Sequence, residues 1–257
     1  MGLGLIGCAT KSIERRAAPA RPQRSVSLEE ALGSYDRYCE GLRTVSASGD
    51  LDVKDLRAGK QRKLGVRLLA TRGDRLYLKG QVLVVTALEV VSNGERFWFQ
   101  VPSKRTIWTG PAGSLAPAAE GADQAPYYAL RPRDVTAALL PEPVAPKESE
   151  ALFLDSERAL VCLSLAKAGV LRRRVCLDRE TLRPARLRAY DERGELSADA
   201  ALEAWRDEAP RRIVITRPAE GYVAEFRLDK LEWNKQVPER AFEPRPAPGY
   251  ETVEVGR

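Results

Sequence analysis

The chain has 257 residues, 44% of them hydrophobic, and a formal net charge of +6, which is enough apolar material for the core of one large or two small domains. It contains no histidine, which excludes Ser-His-Asp and Cys-His nucleophile systems, histidine-ligated zinc and histidine general bases. The basic charge is scattered and forms no Lys/Arg stripe with interleaved aromatics, so nucleic acid is not expected as a partner.

The N-terminus resembles the lipidation signal of bacterial lipoproteins. Leu5, Ile6 and Gly7 precede Cys8, as small and aliphatic residues precede the acylated cysteine of a lipobox. None of the residues before Cys8 is charged, whereas a complete signal has a charged segment and an apolar stretch of about 7–15 residues. We interpret the segment as a truncated lipoprotein signal with Cys8 as the lipidation site. An ordinary apolar N-terminus is the alternative.

The segment after Cys8 is typical of a flexible tether. Residues 11–24 are basic, rich in Pro and Ala, and without periodicity, and at about 3.3 Å per residue they could reach about 50 Å from a lipid anchor. Ala9, rather than Asp, follows the cysteine, which by the same resemblance implies retention at the outer membrane. We predict a signal, anchor and tether over 1–24 and one domain over 25–257. Beyond the N-terminus, no apolar run approaches the roughly 18 residues of a membrane-spanning helix.

The first predicted element is a helix that begins after Ser27. Ser27 and Glu30 form a capping box, in which the serine hydroxyl and the Glu30 carboxylate satisfy free amides. Apolar residues then recur at helical spacing and form one face, namely Leu28, Ala31, Leu32, Tyr35, Tyr38, Cys39 and Leu42. We expect this face to pack on a sheet or to cover the mouth of a pocket.

From Thr44 the apolar period changes to 2, which indicates strands. The alternation continues through turns at 72–74 and 92–94 to Ile107 and Trp108. Short alternating strands separated by turn residues predict an antiparallel sheet. The Ala-, Gly- and Pro-rich stretch 111–125 is predicted to be a loop. A short helix is predicted over 132–140, before the prolines that end it.

Two cysteines lie in a predicted hairpin of the second half. A turn centred on Gly169 would place Cys162 directly opposite Cys176 and keep one face of the hairpin apolar throughout. The two sulfurs could form a disulfide in an exported compartment, and two reduced thiols are the alternative. Cys39 has no evident partner.

More strands and turns follow in the second half. Strands are predicted at 184–190, 196–206, 213–216, 222–233 and, as an edge strand, 250–255, with turns at 191–194 and 219–221. The carboxylates considered for catalysis, Asp134 and Glu203, are interpreted as exposed polar residues. We therefore predict a protein that is not an enzyme and needs neither a cofactor nor a metal.

The order of these landmarks resembles the LolA/LolB superfamily of lipoprotein carriers and acceptors, over about residues 27–255. The matching fragments are 92–98, Val101-Pro102, 108–110, 177–184, Tyr190-Asp191, Gly194 and 233–242. The resemblance implies a mainly β (α+β) fold, an unclosed antiparallel β-barrel of about eleven strands with short helices over its open mouth. It also implies a hydrophobic cavity for acyl chains.

The candidate lining of that cavity comes from alternating strands, because every second side chain of a strand faces one interior. The residues are Val45, Leu51, Leu64, Val66, Leu68, Leu76, Leu78, Phe97, Phe99 and Phe226. A solid, fully packed core is the alternative.

One segment breaks the alternation. Residues 82–88 form a continuous apolar run, and a buried strand is one interpretation of it. In LolB-like members the connection at this place protrudes and inserts lipoproteins into the membrane. The resemblance therefore implies a membrane-insertion loop with the residues Val82, Leu83, Val84, Val85 and Leu88.

These features together predict a monomeric, lipid-anchored protein at the periplasmic face of the outer membrane. Its partners would be the acyl chains of lipoproteins or lipids, the membrane surface and a soluble periplasmic carrier. It would help to deliver or insert lipoproteins or lipids. The alternative is a lipid-sensing regulatory or scaffold lipoprotein of the cell envelope with no transfer activity.

Overall fold

The computed structural model describes residues 24–113, 130–144, 150–157, 159–245 and 248–255. The helices are α1 (Leu28–Glu40) and α2 (Pro132–Leu139). The strands are β1 (Thr44–Asp55), β2 (Lys60–Thr71), β3 (Arg75–Val82), β4 (Val85–Asn93), β5 (Arg96–Val101), β6 (Thr106–Pro111), β7 (Glu150–Glu157), β8 (Leu160–Lys167), β9 (Val170–Asp178), β10 (Pro184–Tyr190), β11 (Leu196–Glu203), β12 (Arg212–Arg217), β13 (Tyr222–Trp233) and β14 (Glu251–Glu254). Short 3-10 turns occur at Pro102–Lys104 and Glu239–Phe242.

All of these strands belong to one sheet, in the order β14-β6-β5-β4-β3-β2-β1-β13-β12-β11-β10-β9-β8-β7. Neighbouring strands run antiparallel, except that β14 pairs with β6 in parallel. The pairing of β1 with β13 joins the first and second halves of the chain. Because β14 and β7 remain as edges, the sheet does not close. The mainly β, unclosed barrel is confirmed, with 14 strands in place of the expected eleven.

The alternation predicted from the sequence places one face of the sheet inside. The larger core lies between β1–β6, β11–β13 and α2, and a smaller core lies where α1 covers β8 and β9. No helix in the described ranges is both long and apolar enough to cross a membrane.

Helix α1 begins where the sequence predicts it. The Ser27 hydroxyl accepts a hydrogen bond from the Glu30 amide, 3.1 Å between oxygen and nitrogen. The Glu30 carboxylate pairs with Arg24, so the second half of the predicted capping box does not form. Tyr35 is fully buried, but Leu28 is 37% exposed, which makes the apolar face narrower than predicted.

The cap gives a first test of stability. Ser27→Ala removes the acceptor for a helix amide, and we expect the free energy of unfolding to fall by about 1 kcal/mol. Urea denaturation followed by circular dichroism measures this change. Ser25→Ala is the matched control, because Ser25 is exposed and lies before the helix. Equal midpoints for the two variants would show that the cap contributes nothing.

The structure differs from the sequence-based predictions at two elements. Strand β7 was not predicted, because its apolar residues 152–154 are consecutive and do not alternate. The run 82–88 is neither a loop nor a buried strand: β3 ends at Val82, β4 begins at Val85, and two residues connect them. A tight hairpin needs only a short connection, so most of this apolar run is strand.

Candidate functional site

The ten candidate lining residues form one packed interior. None is more than 3% exposed, and all belong to the larger core. Helix α2 lies over them and contributes Val135, Ala138 and Leu139 to the same core. Two surface depressions, of about 100 Å³ beside Trp98 and about 680 Å³ beside Arg72, are lined by none of the ten. The interior is therefore closed to solvent, with its side chains in one core and one short helix over it.

Helix α2 is held over the interior by a cluster of charged and polar groups, which we call the α2 latch. Arg217 Nη1 donates hydrogen bonds to both carboxylate oxygens of Asp134 at 3.1 Å. Its Nη2 donates to Glu220 Oε1 at 2.9 Å, and Arg131 donates to the same oxygen. The Tyr222 hydroxyl lies 3.4 Å from Asp134 Oδ2. The latch thus joins both sides of the α2 N-terminus to β12, β13 and their turn.

A second set of contacts fixes the other side of α2. The Thr136 hydroxyl donates to Asp74 Oδ1 at 2.9 Å, and Arg133 Nε lies 3.2 Å from Asp74 Oδ2. Asp74 belongs to the turn between β2 and β3. The helix is therefore fastened by polar contacts on two sides, with its apolar face on the core.

Burial dominates the electrostatics of the latch. The side chains of Arg217 and Asp134 are 8% and 11% exposed. Burial raises the pKa of the Asp134 carboxyl, against the opposing charges of Arg217 and Arg131. Burial alone would raise the pKa of Glu220 as well, but the hydrogen bond and charge of Arg217 outweigh it, and that pKa lies below its usual value. Arg217 is the residue on which both carboxylates depend.

The latch was missed by sequence reasoning. Asp134 was interpreted as exposed, and this is wrong, because its carboxylate is buried between the first turn of α2 and Arg217 on β12. Arg131, Arg217 and Glu220 were not singled out. An acid in the first turn of a helix is common for electrostatic reasons, so the sequence gives no signal that this one is buried. Glu203 is exposed as predicted and pairs with Arg212.

The hairpin between β3 and β4 carries an exposed apolar tip, which we define as Val82–Val85. Its side chains are 51%, 94%, 88% and 67% exposed in chain order. Leu83 adopts φ +57°, a left-handed conformation that favours glycine or asparagine and costs leucine about 1–2 kcal/mol. A leucine there is unfavourable for both backbone and solvation. Leu88 is fully buried, because it faces inward on β4, and it does not belong to the tip.

The cysteine hairpin has the predicted register. Cys162 pairs directly with Cys176, and Leu163 with Val175. The two sulfurs form a disulfide, with an S–S distance of 2.11 Å. Glu157 lies near both sulfurs, but disulfide sulfurs are not available as metal ligands.

The other two cysteines play no part in this site. Burial raises the pKa of the Cys39 thiol to about 11, so it stays protonated and unreactive. Cys8 and the tether that we predicted after it lie outside the described residues.

No protein-family profile matches the sequence, and no curated protein is similar to it. Solved structures do match the fold. A LolA superfamily protein from Nitrosomonas europaea has a TM-score of 0.53 at 12% identity, over 86% of this chain and 99% of the other. A DUF1329 family protein from Desulfovibrio piger has a TM-score of 0.53 at 13% identity, over 84% and 97%. A candidate outer membrane lipoprotein-sorting protein domain from Vibrio parahaemolyticus has 0.50 at 15%, over 84% and 97%. The described chain therefore has a LolA-like fold.

Proposed function

From this LolA-like fold we propose that the protein is a lipid-anchored periplasmic binding protein that takes acyl chains into its interior and helps to deliver lipoproteins or lipids to the outer membrane. The observation that carries the proposal is the arrangement of α2. One short helix covers an apolar interior and is fastened by polar groups at its two sides. Such a cover can be displaced without unfolding the sheet beneath it.

An acyl chain suits the space that α2 would leave. The interior beneath the helix is lined by aliphatic and phenylalanine side chains. They offer dispersion contacts and contain no polar group that would need a hydrogen-bond partner in the ligand. Each buried methylene contributes about 0.8 kcal/mol, so a chain can replace the apolar contacts that Val135, Ala138 and Leu139 give up. Because a bilayer offers the same contacts, transfer from the interior to the membrane costs little free energy.

Three further features support an envelope role. The fold is shared with a LolA superfamily protein and with a candidate lipoprotein-sorting domain. A lipid anchor at Cys8 and the tether after it would keep the domain within reach of the membrane. The exposed tip Val82–Val85 would insert into that membrane. None of these steps makes or breaks a bond, so the proposed activity requires no catalytic residue and no cofactor.

Locking α2 to the sheet tests the proposal directly. Asp74→Cys with Thr136→Cys, in a full chain carrying Cys8→Ala, replaces a polar contact of 2.9 Å by a disulfide after a small movement. We expect the oxidised variant to lose binding of a fluorescent fatty acid and the reduced variant to regain it. Thr136→Cys alone, with and without reductant, is the matched control. Equal binding by the oxidised and reduced forms would contradict entry beneath α2.

A second candidate function is a scaffold lipoprotein of the cell envelope whose interior takes up no lipid; a lipid-sensing form of this alternative would bind an acyl probe as the carrier does and would differ from it only in having no transfer activity. The close packing of the ten interior residues favours the scaffold, because a filled core has no room for cargo. Under this alternative the Cys8→Ala protein would carry no lipid after native purification. It would also bind no acyl probe with α2 locked or free.

A further inference from the structure

Exposed apolar side chains are concentrated at one place on the described part of the chain. The exposed large hydrophobic residues of the described chain are Leu28, Leu56, Val82, Leu83, Val84, Val85 and Phe153. All but Leu28 and Phe153 lie in two adjacent hairpin turns, β1–β2 and β3–β4. The tip is thus the main apolar projection of the described chain, and Leu56, 60% exposed, lies in a separate turn at the same end of the sheet.

Basic residues flank this projection on both sides. The last pair between β2 and β3 joins Gly65 to Gln81, so Lys63 and Arg62 lie two and three residues beyond it on β2, beside the end of β3. On the other side of the tip, β5 pairs with β4, and Gln100 lies opposite Glu89. The turn between β5 and β6, which contains Arg105, therefore lies beside the beginning of β4. The 3-10 turn at 102–104 contacts β4 directly.

Basic residues predominate at these strand ends, with Asp55 opposite Lys60 and Glu89 at their border. We define the basic rim as segments 56–64, 81–88 and 100–107. The rim contains no Asp or Glu, and its basic residues are Arg57, Lys60, Arg62, Lys63, Lys104 and Arg105. An apolar tip between exposed basic residues has the composition of a surface that meets anionic lipid headgroups.

The rim differs from the rest of the sheet in how its charges are compensated. Arg62, Lys63 and Arg105 are exposed and form no ion pair within the described residues. On the second half of the sheet, by contrast, Arg174 and Arg188 pair with acids on neighbouring strands. Asp52, which lies opposite Lys63, is buried and accepts a hydrogen bond from the Gln61 amide. Arg62, Lys63 and Arg105 therefore stay available to an external partner.

We propose that the basic rim is a docking surface for a membrane rich in anionic phospholipid. This inference rests on the membrane contact in the proposed function and adds the lipid class that the contact selects. The apolar tip by itself inserts into neutral and anionic bilayers alike. The cations beside it add attraction only where the headgroups carry negative charge, so they determine which membrane the protein meets.

Vesicle binding with matched charge variants tests the inference. The full chain with Cys8→Ala is titrated with vesicles of phosphatidylcholine, with and without phosphatidylglycerol. The rim variant carries Arg62→Gln, Lys63→Gln and Arg105→Gln. The control variant carries Arg43→Gln, Arg206→Gln and Arg240→Gln, which remove the same charge from exposed residues at the opposite strand ends that form no ion pair in the described chain.

We expect the rim variant to bind anionic vesicles about 100-fold more weakly at low salt, since each surface cation contributes about fivefold. The control variant should lose far less, and all three proteins should bind neutral vesicles equally. In 1 M salt, where the screening length is about 3 Å, the difference should disappear. Equal losses in the rim and control variants would overturn the inference.

The outcomes separate this inference from the proposed function. Binding to neutral and anionic vesicles with the same affinity would overturn the selection of anionic lipid and leave membrane contact through the tip intact. Binding to neither vesicle would overturn both the docking surface and the membrane contact. Uptake of an acyl probe beneath α2 is measured without vesicles, so its result does not depend on the vesicle experiments.

Discussion

Arg217→Ala is expected to lower the free energy of unfolding by about 3–5 kcal/mol, the usual effect of removing one partner from a buried ion pair. The substitution leaves the buried carboxylate of Asp134, in the first turn of α2, without the arginine nitrogen that donates to both of its oxygens. It also removes a hydrogen bond from Glu220. Urea denaturation at neutral pH measures the loss.

The matched control is Arg212→Ala on the exposed face of the sheet. Arg212 also bridges two carboxylates, Glu203 and Glu225, but its side chain is 39% exposed, and such pairs contribute about 0–1 kcal/mol. Combining Arg217→Ala with Asp134→Asn should recover part of the lost stability, because the uncompensated charge is gone. Similar small losses for Arg217→Ala and Arg212→Ala would show that the latch does not hold α2.

The Arg217→Ala effect should also depend on pH with a definite sign. Burial already raises the pKa of Asp134 in the folded protein, and loss of the opposing arginine raises it further. The folded variant then binds the Asp134 proton more tightly than the unfolded chain does, so acid stabilises the folded state. The difference in stability between the variant and the parent should shrink as pH falls from 7 through the raised pKa toward the ordinary value of 3.8.

Leu83→Asn with Val84→Thr is expected to weaken vesicle binding by more than 100-fold and to leave the fold at least as stable. Burying a leucine or valine side chain in lipid contributes about 1.5–3 kcal/mol, and this variant removes two. Asparagine tolerates the left-handed conformation of Leu83 better than leucine does. A loss of membrane affinity together with unchanged or higher stability would show that the tip serves membrane binding and not folding. Vesicle co-sedimentation and urea denaturation measure the two quantities.

Phe153→Thr on edge strand β7 is the control for the tip. Phe153 is 45% exposed and lies far from the tip in the strand order, and threonine suits a strand. We expect this variant to bind vesicles like the parent chain. If it loses as much affinity as the tip variant, binding depends on general surface hydrophobicity. If the tip variant loses stability as well, Leu83 has a role in folding.

The sequence by itself determined the local features of this protein. The change of apolar period at Thr44 predicted where strands begin, because burial of one sheet face requires alternation. The apolar face of the hairpin predicted the register that brings Cys162 opposite Cys176, and the structure reaches it through a two-residue turn and a register shift between Leu165 and Ala166. The Ser27 cap was visible because its acceptor and donor are three residues apart.

Only the tertiary structure decided what lies over the interior and how it is held. Asp134 and Arg217 are 83 residues apart in the chain, and the pairing of distant strands brings them together. Leu88 is buried and Leu83 is exposed although both are leucines in one apolar run. The position of the turn decides which of their side chains faces the core. Periodicity reports which face of an element is buried. Long-range strand pairing and packing decide which elements contact each other across the sheet, and the local sequence does not specify these contacts.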